Sequence, residues 1–288
     1  MKRTLIIAAV VLVLGAGAFV AAKREPLMLG YLAGKTQKAS LADHQAFLAP
    51  HIEFRAPETG APPYPAVIQF HGCSGHQPSL ANQWADLINA AGYMAIIVDS
   101  HAPRGISRDE AFETVCTGQQ LIAQERAGDV VATFEMAKAR EDVDAETIIL
   151  AGWSHGAWTI MDFMTMNMKD KRPASIEAAA MEAPKPAGLI LFYPYCGLGA
   201  HSRFDAWTAS VPALSFIAGK DTIVSPDECL KVFEKLKDEG TPVTAHVYPD
   251  ADHVFDFAGI EEEYKHMYNA GYAADAVQRV SAYLDAQK

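Results

Sequence analysis

The sequence predicts an α/β domain built on a mostly parallel central sheet with helices on both faces. Three observations carry this expectation. Short runs that are apolar throughout alternate with stretches of helical spacing along most of the 288 residues. The runs lack the in–out alternation of a half-exposed strand, as expected for strands covered on both sides. Residues with catalytic chemistry fall just after several runs, at the edge where such a sheet opens its binding crevice.

In chain order, Pro65–His71 reads as a buried strand closed by Gly72. Leu80–Ala91 places Trp84, Leu87, Ile88 and Ala91 at helical spacing and stops at Gly92. Tyr93–Asp99 is the next strand, and 119–140 a long helix with Leu121, Ile122, Val130, Val131, Phe134 and Ala137 on one side. Thr147–Gly152 is a strand and 155–168 a helix. Ala187–Tyr193 and Ala213–Gly219 are strands. Pro226–Glu239 is a helix opened by proline, a preferred first position. Val243–Tyr248 is a strand, and a last helix runs from about Ala273 to Ala286. The loops 102–118 and 165–186 are the expected pocket builders, the second as part of a lid.

The chain opens Met1-Lys2-Arg3-Thr4, followed by an apolar stretch over residues 5–22 and then Lys23-Arg24. A positive start before an apolar run is an export signal. Ala16-Gly17-Ala18 or Val20-Ala21-Ala22 would suit cleavage, or the run stays as a membrane anchor near the lower spanning length. Either outcome puts the following domain outside the cytoplasm, periplasmic, secreted or membrane-anchored. Residues 23–45 read as a linker and 46–288 as the catalytic domain. The formal net charge of −11 disfavours nucleic acid as a partner. The four cysteines, Cys73, Cys116, Cys196 and Cys229, include no C-x-x-C pair, so zinc-ribbon and thioredoxin readings fail. Buried thiols and one or two disulfides both stay open, with three pairings possible for two bridges.

Gly152-Trp153-Ser154-His155-Gly156 is G-x-S-x-G between a strand and a helix, the context a nucleophile elbow requires. A serine hydroxyl needs an imidazole base, and the imidazole needs a carboxylate on its far nitrogen. Beyond Ser154 lie His155, His201, His246, His253 and His266. His253, in the loop after the strand ending at Tyr248, is the expected base. Asp221, immediately after Ala213–Gly219, is the expected orienting acid; Asp205, Asp227, Asp250 and Asp252 are its rivals. The tetrahedral intermediate needs preorganised donors. The backbone N–H of His155 is one, and that of Cys73, in His71-Gly72-Cys73-Ser74-Gly75, the other, with Ser74 as the alternative. The spacing of His71, Cys73 and His76 matches no usual zinc set, so neither metal nor cofactor is expected.

These blocks resemble the dienelactone hydrolase-like branch of the α/β-hydrolases. The resemblance runs from about Ala46 to Ala286 through PAVIQFHGCSG, AGYMAIIVDSHAPRG, AGWSHGA, LILFYPYCG, GKDTIVSPDEC and YPDADHVFDF. It implies the α/β-hydrolase fold and a small-molecule ester substrate. Dienelactone hydrolase itself uses a cysteine where this chain has Ser154, so a broader carboxylic-ester hydrolase is the expected activity. The family's carboxylate-binding arginines do not align securely; Arg104 is the candidate for a substrate acid group, beside the alternative of a loop ion pair. An exported peptidase or amidase of the same fold, and a non-catalytic ligand-binding member, are the competing functions.

Overall fold

The computed structural model describes residues 36–177 and 181–288, so the expected export segment, 1–22, lies outside the described residues. Seven strands form one sheet: β1 (Ile52–Arg55), β2 (Tyr64–Phe70), β3 (Met94–Val98), β4 (Val143–Trp153), β5 (Gly188–Phe192), β6 (Ala213–Ala218) and β7 (Val243–Tyr248). Their order is β1-β3-β2-β4-β5-β6-β7. All neighbours are parallel except β1, which runs antiparallel to β3. The expected mostly parallel sheet with two covered faces is therefore present.

The helices are α1 (Leu41–Leu48), α2 (Pro78–Ala90), α3 (Ala123–Lys138), α4 (His155–Met164), α5 (Pro226–Asp238) and α6 (Ala270–Ala286). On one face Ile68, Phe70 and Leu150 pack with Val130 and Phe134 of α3, Ile160 of α4 and Phe233 of α5. On the other, Val67, Ile149 and Phe216 pack with Trp84 and Ile88 of α2 and Val280 and Leu284 of α6. Side chains such as Ile68, Phe70 and Phe216 are fully buried, and each stabilises the fold by roughly 1.5–3 kcal/mol. That is why the inner strands read as continuous apolar runs. Gly92 ends α2 as expected: its φ of 80° lets the Tyr93 N–H return to the Ile88 carbonyl at 3.1 Å.

Several boundaries differ from the sequence reading. The stretch read as linker, 23–45, contains the start of α1: Ser40 caps it by accepting from the Asp43 N–H, and His44 is buried against Asp129 of α3. Ala39 already bridges Ile176, so packed structure begins before residue 46. The long helix starts at Ala123 rather than at 119, because Leu121 takes a φ of 46° that a helix does not admit. The helix expected over 155–168 ends at Met164, and Met168 has a φ of 63°.

Candidate active site

β4 delivers its last residue, Trp153, directly to Ser154, and α4 starts at the next position. Ser154 sits at φ 53° and ψ −114°, a region that non-glycine residues occupy only when the surroundings enforce it. Here the enforcement is packing. A Cβ on Gly152 would lie 2.6 Å from the Ala157 nitrogen, and one on Gly156 would collide with the Phe70 carbonyl oxygen and stand 2.7 Å from that of His71. The turn is locked by the Ser154 N–H donating to the Phe192 carbonyl at 2.9 Å and the Trp158 N–H donating to the Ser154 carbonyl at 3.0 Å. The hydroxyl is thereby presented at the carboxyl edge of the sheet.

The loops after β6 and β7 bring Asp221 and His253 to the same edge. Ser154 Oγ lies 2.9 Å from His253 Nε2, and His253 Nδ1 lies 2.7 Å from Asp221 Oδ2. With the ring proton on Nδ1, that nitrogen donates to the carboxylate and Nε2 accepts from the hydroxyl. The other carboxylate oxygen, Oδ1, accepts the backbone N–H groups of Ile223 (2.9 Å) and Val224 (2.8 Å), which fixes the acid from behind. Asp252, a rival for that part in the sequence, instead ties the two loops together: its Oδ1 accepts from the backbone N–H groups of Thr222 and His253.

Opposite the elbow, His71–Gly75 turns back at the end of β2, with the Gly75 N–H 3.3 Å from the Gly72 carbonyl. A Cβ on Gly72 would meet Ser154 Cβ at 3.6 Å, so the loop lies against the serine. The N–H groups of Cys73 and His155 have no acceptor among the described residues. Cys73 is disulfide-bonded to Cys116, which ties this loop to the 102–118 segment; Cys196 is bonded to Cys229.

Beside this loop and the start of α4 sits Arg126 of α3, fully buried, which the sequence reading passed over. Its Nη1 donates to the His71 carbonyl at 2.7 Å and lies 3.2 Å from His155 Nδ1, while Nε donates to Ser100 Oγ at 3.0 Å. One guanidinium therefore holds the start of the Cys73 loop and the first residue of α4. Burial pulls its pKa down to about 10, which leaves it charged at neutral pH. Burial, with Arg126 adding to it, keeps His71 and His155 well below the usual histidine range, and brings His101 down to about 4. The available signal was a charged residue at core spacing, with Val130 and Phe134 one and two turns on.

A buried carboxyl group, Asp256, organises the loop that carries His253. Asp256 accepts Trp84 Nε1 and Trp153 Nε1, both at 3.0 Å, and Tyr193 Oη at 2.8 Å. Burial pushes this carboxyl up, against ring donors that favour its charge. Tyr193, at φ 35°, lays its ring 4.5 Å from that of His253.

The pocket over Ser154 and His253 measures about 1020 Å³ with its open mouth, and most of its wall is apolar. The 102–118 segment contributes Arg108 and Phe112, as expected. None of the described residues of the 165–186 segment lines it; the facing wall comes from residues 254–267, among them Phe257, Ile260, Glu261 and Met267. Arg108 and Glu261 pair at 2.5 Å between the two walls. Arg104, the candidate for a substrate acid group, does not line the pocket: its guanidinium is spent on Asp129, at 2.8 and 3.0 Å, and on the Ser100 carbonyl. Against the cost of burial, Arg104 and His44 hold Asp129 far below the usual carboxylate range, so the arginine is a structural counter-ion. Among the described residues no group of three or more His, Cys, Asp or Glu side chains is placed to hold a metal ion.

Comparison with known proteins agrees with this geometry at the level of family and fold. The dienelactone hydrolase family profile matches residues 54–287. Similar solved structures include a protein assigned as a dienelactone hydrolase from Klebsiella pneumoniae (TM-score 0.61, 16% identity, 81% of this chain and 98% of that one). Esterase 2 of Thermogutta terrifontis, phosphorylated by paraoxon, aligns with TM-score 0.62 and 14% identity over 81% of this chain and 87% of its own. A sugar hydrolase from Lactococcus lactis aligns with TM-score 0.57 and 17% identity over 82% and 93%. No curated protein sequence matches the chain.

Proposed function

The chain belongs to the dienelactone hydrolase family, and from that premise we propose that it hydrolyses carboxylic esters through an acyl-enzyme on Ser154. The observation that carries this reading is the continuous hydrogen-bond line from Ser154 through His253 to Asp221. His253 takes the hydroxyl proton as Ser154 Oγ attacks the acyl carbon. The oxyanion forms between the N–H groups of Cys73 and His155, and a single donor of this kind contributes about 3 kcal/mol to such a transition state. His253 then returns its proton to the leaving alcohol, and Asp221 balances the transient imidazolium. Water enters and attacks the acyl carbon as it loses a proton to His253; the Ser154 Oγ–acyl bond breaks, Ser154 recovers the proton from His253, and the acid is released.

The largely apolar wall supports an ester with an apolar arm. Export is part of the same proposal. The charged and then apolar start of the chain supports it, and so do two disulfides, which persist in oxidising compartments. In a kinetic test on p-nitrophenyl esters, Ser154→Ala lowers kcat by roughly 10⁴–10⁶-fold. Turnover near that of the wild type in this variant removes Ser154 from the mechanism.

A further inference from the structure

Gln69 is a polar residue of the pocket that the chemistry above does not use. It lies in β2, between Ile97 of β3 and Ala151 of β4 in the sheet register. It is 3% exposed and lines the pocket together with Trp153 and Ser154. Neither Oε1 nor Nε2 has a hydrogen-bond partner among the described residues. Burying a carboxamide without partners is costly, and native proteins satisfy such groups almost without exception. The polar groups of the neighbouring pocket aromatics are committed elsewhere, since Trp84, Trp153 and Tyr193 all donate to Asp256. Gln69 therefore leaves one acceptor and one donor group without partners in the wall of a mostly apolar recess.

We propose that Gln69 is a polar subsite at the floor of the pocket, reading a neutral hydroxyl or carboxamide on the buried arm of the substrate. The ligand chemistry follows from the amide. A carboxylate only accepts and an ammonium only donates, so either leaves half of Gln69 without a partner and brings a charge onto a floor flanked by Ile97 and Ala151. A hydroxyl or a carboxamide does both. Specificity of this kind is strong, because a substrate lacking the group leaves the site's own polar atoms unsatisfied. The inference rests on the ester-hydrolase reading, and supplies the selectivity that the apolar walls alone do not.

The test uses matched ester pairs with the full-length protein. On the acyl side these are p-nitrophenyl alkanoates of graded length, with and without a terminal hydroxyl; on the alcohol side, acetates of alkanols and of the corresponding diols. The wild type prefers the hydroxylated member of at least one pair by about tenfold or more in kcat/KM. In Gln69→Met, and in Gln69→Leu as a second apolar replacement, that ratio collapses towards one. Thermal melting of both variants is no lower than that of the wild type, because two partnerless groups have been removed. Equal rates for both members of every pair in the wild type overturn the subsite while leaving the ester reading intact. So does a preference that survives both substitutions. If the wild type turns over none of these esters, the ester reading falls and takes the subsite with it.

Discussion

At the scale of single residues, the site is made by strain and by close approach. Ser154 occupies its φ of 53° because Gly152 and Gly156 leave no room for side chains between β2, β4 and α4. Val254, directly after the base, has a φ of 58° although it is β-branched, a conformation imposed by its surroundings. Asp221 contributes through position as well as charge, since two backbone N–H groups hold the oxygen that does not face His253. Replacing it by asparagine keeps the shape and removes the anion that, in the proposed mechanism, stabilises the imidazolium. Asp221→Asn therefore lowers kcat by about 10³–10⁴-fold with KM changed by no more than about threefold, read from steady-state kinetics on one ester. A kcat within tenfold of the wild type would mean that another group orients His253.

At the scale of elements, α3 is more than a cover for the sheet. Through Arg126 it joins the ends of β2 and β3 to the first turn of α4, and the histidines around that guanidinium are kept neutral. This has a thermodynamic consequence. His101 titrates near pH 4 in the folded protein, whereas the unfolded chain takes up the proton near pH 6.5. The stability it contributes is complete above pH 6.5 and is lost as the pH falls towards 4, because the unfolded state there holds the extra proton. Asp162, pushed up to about 8 by burial, works in the opposite direction over the same range. The informative quantity is therefore a difference between two proteins. Urea unfolding of the wild type and His101→Gln at pH 7, 6 and 5 shows a shallower acid loss in the variant, by up to about 1.4 kcal/mol per pH unit. Parallel profiles would mean that His101 takes up its proton in the fold at the same pH as in the unfolded chain.

At the scale of the whole molecule, the inner strands and the three residues at the sheet edge were legible because their causes are local. The inner parts of β2 to β6 are buried on both faces and spell mostly apolar runs; Ser154 follows β4 directly, and Asp221 and His253 lie in the short loops after β6 and β7. β1 was missed because Ile52-Glu53-Phe54-Arg55 is short and half-exposed, an antiparallel edge that makes no such run. α1 was missed because its anchor is His44 on Asp129, a contact 85 residues away in the sequence. The same long-range pairing claimed Arg104, which from the sequence alone looked available to a substrate. The wall at 254–267 and the burial of Gln69 likewise exist only once the chain is folded. The most direct test of the central claim is peptide mass spectrometry after treating the protein with paraoxon, the reagent that phosphorylates the Thermogutta terrifontis esterase. A single phosphoryl adduct on Ser154, rising in step with loss of esterase activity and absent from Ser154→Ala, is the expected result. Inactivation that leaves Ser154 unmodified, with the adduct on another side chain, would contradict it.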